Sequence, residues 1–260
     1  MINWELFLNL IISHLISDFP FQKDSWVKDK RERGLMGLGI WKHAVVVLLT
    51  TMAAFGCLDC VYILLALTIV VLHVFIDLLK ARFSKNNPQS FAVDQLVHIA
   101  VLFAITCLIS KYCEWHQWGI VPQGKERLYP LVVCVYLFCL SPANYIIREI
   151  LEYCHVQNNE QHEVAKSEES KNRDPNERIK ISGILIGSME RFLILTFILL
   201  GNFDAAGLTI AAKSLLRFKD NEGLRTEYLL IGTLLSIMIA VLCALVVFNF
   251  GMEGPVLKKP

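Results

Sequence analysis

The chain lacks three things that would have narrowed its function quickly: an excess of charge, a cleavable leader and a cysteine framework. Its 25 lysines and arginines nearly balance 24 aspartates and glutamates, leaving a formal charge of +1. Bulk charge therefore names no partner, and nothing points to nucleic acid. The opening Met1-Ile-Asn-Trp-Glu5 has no basic n-region, and no small-residue cleavage site follows it. The first apolar run is expected to be retained rather than removed as a signal peptide. The 8 cysteines are scattered, mostly inside apolar runs. Cys57-Leu-Asp-Cys60 is a lone C-x-x-C, better read as small side chains at a helix end than as a redox or metal motif.

What is abundant is apolar sequence. The chain is 55% hydrophobic over 260 residues, with a mean hydropathy of +0.49. About 20 apolar residues cross a bilayer core as a helix. Runs of that order lie at 5–21, 40–56, 61–79, 91–110, 128–147, 181–200 and 228–250. The expected fold is all-α: a polytopic transmembrane helical bundle of about 7–8 helices. The stretch 152–180 is polar, without apolar periodicity, and reads as a flexible linker. It separates an N-terminal membrane module (1–151, about five helices) from a C-terminal one (181–260, two to three helices). The segment 205–218 is shorter and less apolar, so the side on which the C-terminus lies stays open.

Lys and Arg concentrate after the first, third and fifth runs, which puts those loops on the cytoplasmic side. The expected location is the inner, cytoplasmic membrane of a cell, with several passes. Membrane lipids are then necessary partners, and the linker 152–180 is a candidate contact for a cytoplasmic protein.

Polar residues inside the apolar runs recur in a pattern. His14 and Asp18, His73 and Asp77, and Asp94 and His98 are each four residues apart, and His43 opens the second run. Side chains four apart share a helix face, about 6 Å from each other. The first and third runs carry their pairs near their ends; the second and fourth carry His43, Asp94 and His98 near their starts. In an up-down bundle these levels coincide, at the cytoplasmic boundary. Ionisable groups at membrane depth normally face the bundle interior and mark a site or an ion path. Imidazoles with carboxylates suit Zn, with Mn or Fe as alternatives, and no cysteine joins them to suggest a structural thiolate site. The same groups could instead relay protons, carry a transported ion, or lock helices together by buried hydrogen bonds. Gln22 and Gln95 stand beside the pairs and could orient a ligand, bind substrate or simply serve as interfacial amides.

Farther on, Glu190-Arg191 sits inside an apolar run after Gly183-x3-Gly187, and Lys213 and Arg217 share a face of the next segment. Arg191, Lys213 and Arg217 could form a cationic pocket for a phosphate or a lipid head group. Alternatively Glu190 pairs with Lys213 or Arg217 as an internal salt bridge.

The motifs His14-x3-Asp18-Phe-x2-Gln22, His73-x3-Asp77 and Asp94-Gln95-x2-His98, with a His at the head of the second run, resemble a family of bacterial multi-pass membrane proteins classed as a domain of unknown function. The resemblance covers about residues 8–110, and the remainder resembles the C-terminal extension of longer members. It implies no activity. More distantly, the His-x3-Asp helices are similar to the all-helical zinc enzymes of the phospholipase C and P1-type nuclease group, and to predicted membrane-bound metal-dependent hydrolases. Only His14, Asp18, His73 and Asp77 match that short motif, and the N-terminal tryptophan ligand has no counterpart.

These readings converge on an expected membrane-embedded, metal-dependent hydrolase acting on a phosphoester or lipid-linked substrate at the cytoplasmic interface. His14, Asp18, His43, His73, Asp77, Asp94 and His98 would hold metal, and Asp18, Asp77 and Asp94 are the catalytic candidates. Gln22, Gln95, Arg191, Lys213 and Arg217 are the substrate-binding candidates. The alternatives are an ion- or proton-coupled transporter and a non-catalytic membrane scaffold.

Overall fold

The computed structural model describes residues 2–56, 59–83, 88–113, 128–156, 175–218 and 223–250. Among them every regular element is helical. In chain order these are α1 (Trp4–Asp18), α2 (Asp24–Arg33), a 3-10 turn (Gly34–Met36), α3 (Leu38–Phe55), α4 (Cys60–Phe83) and α5 (Pro88–Tyr112), then α6 (Leu128–Leu140), α7 (Pro142–Val156), α8 (Pro175–Leu199), α9 (Phe203–Phe218) and α10 (Gly223–Phe250). Most of the linker and the 114–127 loop lie outside the described residues.

Five segments are long and apolar enough to cross a membrane: Leu38–Phe55, Cys60–Arg82, Gln89–Tyr112, Leu128–Leu151 and Leu230–Phe250. Their outer faces are apolar rather than polar. On α4, for example, Leu64, Leu67, Val71 and Phe75 point outward at helical spacing. Exposed apolar area on that scale would be unsustainable in water and is ordinary against lipid. The protein is therefore a multi-pass membrane protein. At 15 residues α1 is about 22 Å long, short of a full hydrocarbon core.

Two helices depart from the expected pattern, both for local reasons. The basic loop after α1 contains α2, a ten-residue helix with Lys30, Arg31 and Arg33 in its last turn, where cations complement the helix dipole. The single run expected near 128–150 is broken into α6 and α7 at Ser141-Pro142, because proline has no N–H to continue the ladder.

The chain divides into two compact units, Met1–Leu137 and Phe138–Pro260. In the first, α1, α3, α4 and α5 close into an up-down bundle: α1 packs on α3 and α5, and α4 packs on the same two. One end of this bundle is an apolar core of Leu6, Leu10, Phe55, Ala66, Leu102 and Ile105, among others. The polar residues gather at the opposite end. Gly56, with φ 68, ends α3 in the left-handed conformation that glycine adopts without a Cβ clash. In the second unit α8 packs against α7, α9 and α10. Small buried residues of α10, Ala240, Cys243 and Ala244, allow close approach there.

Candidate functional site

The polar end of the first unit is built from four helix ends. α1 delivers His14 and Asp18, α3 His43, α4 His73 and Asp77, and α5 Asp94 and His98. Six of the seven are buried, and the Asp18 side chain is only 7% exposed. Alternation of helix direction brings all seven together, and their rings touch. His73 and His98 lie 4.3 Å apart between centroids, His14 and His98 stack at 5.0 Å, and His43 and His73 lie 5.1 Å apart.

Four donor atoms converge most tightly. His43 Nε2 and His73 Nε2 are 3.0 Å apart. Asp18 Oδ1 is 3.6 Å from the first and 3.4 Å from the second. Asp77 Oδ2 is 3.7 and 3.9 Å from them. Ligands bound at 2.0–2.1 Å around a tetrahedral ion are separated by about 3.3–3.4 Å; the five separations here, from 3.0 to 3.9 Å, lie around that edge length. His14 Nδ1 stands 3.6 Å from Asp18 Oδ1 as a further donor on the same side.

The surrounding contacts orient these groups. The Ser17 hydroxyl donates to Asp18 Oδ1 at 2.9 Å. His14 Nε2 meets the Gln95 side-chain oxygen at 3.3 Å, and Gln95 Nε2 donates to Asp94 Oδ2. A proton on His14 Nε2 satisfies that oxygen and leaves the Nδ1 lone pair facing Asp18, the arrangement that outer partners impose on a metal-binding imidazole. In the same way His98 Nδ1 donates to the Asp94 carbonyl at 2.9 Å. His98 Nε2 is then a bare lone pair, buried and without a hydrogen bond, and Asp94 Oδ1 and His43 Nδ1 are buried and unbonded too. Buried polar atoms are rarely left so unless something else binds them.

Two lysines complete the cluster, and neither was among the expected site residues. Lys30, on α2, is only 7% exposed and donates to Asp77 Oδ2 at 2.6 Å. Lys80, on α4, donates to Asp94 Oδ2 at 2.6 Å. α2 is held where Lys30 can reach by Gly37 and Gly39. A Cβ on Gly39 would fall 2.7 Å from the Trp26 carbonyl oxygen, and one on Gly37 2.7 Å from Asp29 Oδ2. Asp29 in turn accepts from the Gly39 amide at 2.6 Å, at the start of α3. The signal that could have revealed Lys30 is Gly37-Leu-Gly39, a pair of small residues a few positions after a basic stretch.

A small cavity with room for about one water adjoins the histidines on the side of the bundle core. Ser13, Ser17 and Thr51 line it with His14, His73 and His98, and its far wall is apolar.

With this geometry in view, the chain can be compared with known proteins. Residues 6–122 match the family model DUF3307, described as a protein of unknown function. No curated protein and no solved structure gives a significant match. The DUF3307 region takes in α1 to α5 and so every member of the cluster, lysines included. The sequence likeness to a domain of unknown function has its counterpart here; the more distant likeness to zinc hydrolases has none.

The remaining expected residues lie elsewhere. Gln22 is half-buried between α1 and α2 and joins none of the cluster's recorded contacts. Arg191 lies in the second unit, 2% exposed, and its guanidinium is engaged by neutral groups. It donates to the Cys139 carbonyl (2.8 Å), to Ser236 Oγ (3.1 Å), to Ser188 Oγ (3.3 Å) and to Asn144 Oδ1. Glu190 and Lys213 form an ion pair between α8 and α9. The side chain of Arg217 is outside the described residues.

Proposed function

We propose that the chain is a membrane-embedded hydrolase that uses a divalent transition metal, zinc in the first instance, to cleave a phosphoester at the cytoplasmic face of a bacterial inner membrane. The observation that carries this reading is the convergence of four buried ligand atoms, His43 Nε2, His73 Nε2, Asp18 Oδ1 and Asp77 Oδ2, each carboxylate oxygen lying 3.4 to 3.9 Å from both imidazole nitrogens. A divalent ion held by such a set acidifies a bound water and polarises a phosphoryl oxygen.

The chain's own groups then divide the remaining work. Three carboxylates, Asp18, Asp77 and Asp94, face two ammonium groups, Lys30 and Lys80, leaving one negative charge if the imidazoles are neutral. A dication held there would more than offset that charge. Asp94, outside the four-donor set and next to His98, keeps Oδ1 unbonded and is the carboxylate placed to accept a proton there. Lys80, whose side chain is 27% exposed, is the more accessible of the two lysines and the one a phosphate would meet first. Arg191 and Lys213 are occupied by other partners in the second unit, so the phosphate contact passes to the lysines of the first.

A second reading rests on a different contact. His43 and His73 share a hydrogen bond within a continuous stack that reaches His98 and His14. Such a chain can pass protons, as an ion-coupled transporter requires.

Elemental analysis of the detergent-purified chain separates the two. The hydrolase reading expects about one transition-metal ion per chain, and at least a tenfold loss of it in His73→Ala. Metal-free protein whose proteoliposomes take up solute under a proton gradient would replace this reading with the transporter.

A further inference from the structure

The cluster contains a second constellation, which shares one residue with the four-donor set. Asp77, Asp94 and His98 each offer a ligand atom within 4.8 Å of the others, all three buried. Asp77 belongs to both constellations, as a bridging carboxylate does in a two-ion centre. Yet both carboxylates of this second set already carry a cation: Lys30 on Asp77 and Lys80 on Asp94, each at 2.6 Å. Two ammonium charges thus stand where a second dication would put its own. The atoms that remain unbonded, Asp94 Oδ1 and His98 Nε2, are those that such an ion would take and that a lysine does not reach.

We infer that Lys30 and Lys80 replace a second divalent ion, making the cluster a single-metal centre with a lysine pole for the anionic group of the substrate. The inference rests on the metal reading above and deepens it by assigning the phosphate-facing charge. Two features argue for a built replacement rather than incidental pairing. Lys30 comes from a helix whose only buried residue it is, and that helix is fixed by the close approach of Gly39 to the Trp26 backbone. Lys80 is partly exposed, so its ammonium can exchange a carboxylate partner for a phosphoryl oxygen without leaving water entirely. With both lysines in place, a second dication would enter a region whose negative charge is already matched, which opposes its binding.

The test is zinc stoichiometry of the full-length protein in detergent, by calorimetric titration with Zn²⁺ and by metal analysis after dialysis. Wild type should bind one equivalent. Lys30→Met with Lys80→Met should bind two, the second at least tenfold more tightly than any second equivalent in wild type. Should the double variant fail to fold, Lys80→Met alone is the measurement, again with a strengthened second equivalent. Adding His98→Ala to Lys80→Met should remove that equivalent and spare the first, since His98 belongs only to the second constellation. Two equivalents in wild type would overturn the inference while leaving the metal reading intact. So would one equivalent in wild type and in every lysine variant that folds. No bound zinc in wild type would overturn the metal reading itself, and the inference with it.

Discussion

A guanidinium buried among apolar helices must find acceptors nearby, and Arg191 finds them at the end of another helix. Pro142 stops the ladder that would have used the carbonyls of α6. The Cys139 carbonyl accepts from Arg191 Nε, while the Leu140 carbonyl accepts from Asn144 Nδ2 and from Ser188 Oγ. The positive charge also faces the negative pole of α6. Backbone groups freed inside a membrane must be satisfied by protein, and here one arginine, one asparagine and one serine do it. Arg191→Met should therefore orphan acceptors at a cost of about 1–3 kcal/mol each. Melting in detergent should fall by roughly 5–10 °C. Arg191→Lys should recover only part of this, because a single ammonium cannot span four partners. An unchanged melting curve for Arg191→Met would mean the carbonyls of α6 have other donors. In sequence, Glu190-Arg191 announced itself as unusual, but its partners did not. They become visible only once the break at Ser141-Pro142 places α6's last turn against α8.

At the scale of elements, legibility followed periodicity. The apolar runs marked α3, α4, α5 and α10, and the i,i+4 spacing of His and Asp put each pair on one face. Helix alternation then sufficed to level His14, His43, His73 and His98 before any coordinates. α2 was not legible. Trp26 and Val27 are its only apolar residues and lie side by side, so it has no apolar stripe, and its one buried residue is a lysine. What forms it is tertiary: a backbone-to-backbone contact with α3 that only glycine permits at Gly39. Gly39→Ala should push a Cβ into the Trp26 carbonyl and cost about 1–3 kcal/mol by overpacking. Gly207→Ala, in α9 with nothing within 4 Å of the added carbon, should be neutral or gain about 0.5–1 kcal/mol from helix propensity. Paired thermal melts of the two variants check this. If Gly39→Ala melted at or above wild type, α2 would not be held by the contact described, and Lys30 would owe its position to its ion pair alone.

For the whole molecule, the two units should answer a metal ion differently. Every group that converges on the proposed ion belongs to the first unit, and the helices that carry them meet at one end of its bundle. In the second unit the described cationic side chains Arg191 and Lys213 are engaged by a helix terminus and a glutamate. Ligand that binds only the folded state stabilises it by about 2.7 kcal/mol at a hundredfold excess over Kd. That stabilisation should be local where units are separately compact, because local opening need not involve the whole chain. Hydrogen exchange of the full-length protein, with and without saturating Zn²⁺, should show added protection in α2 and in the neighbouring ends of α1 and α3. Amides of α9 should exchange as before. Equal protection in both units would mean that the second shares the response, and would return Lys213 and Arg217 to consideration as parts of one functional assembly. Protection in neither unit, at zinc concentrations that saturate binding, would place the ion outside the His/Asp end and remove the basis for reading that end as the site.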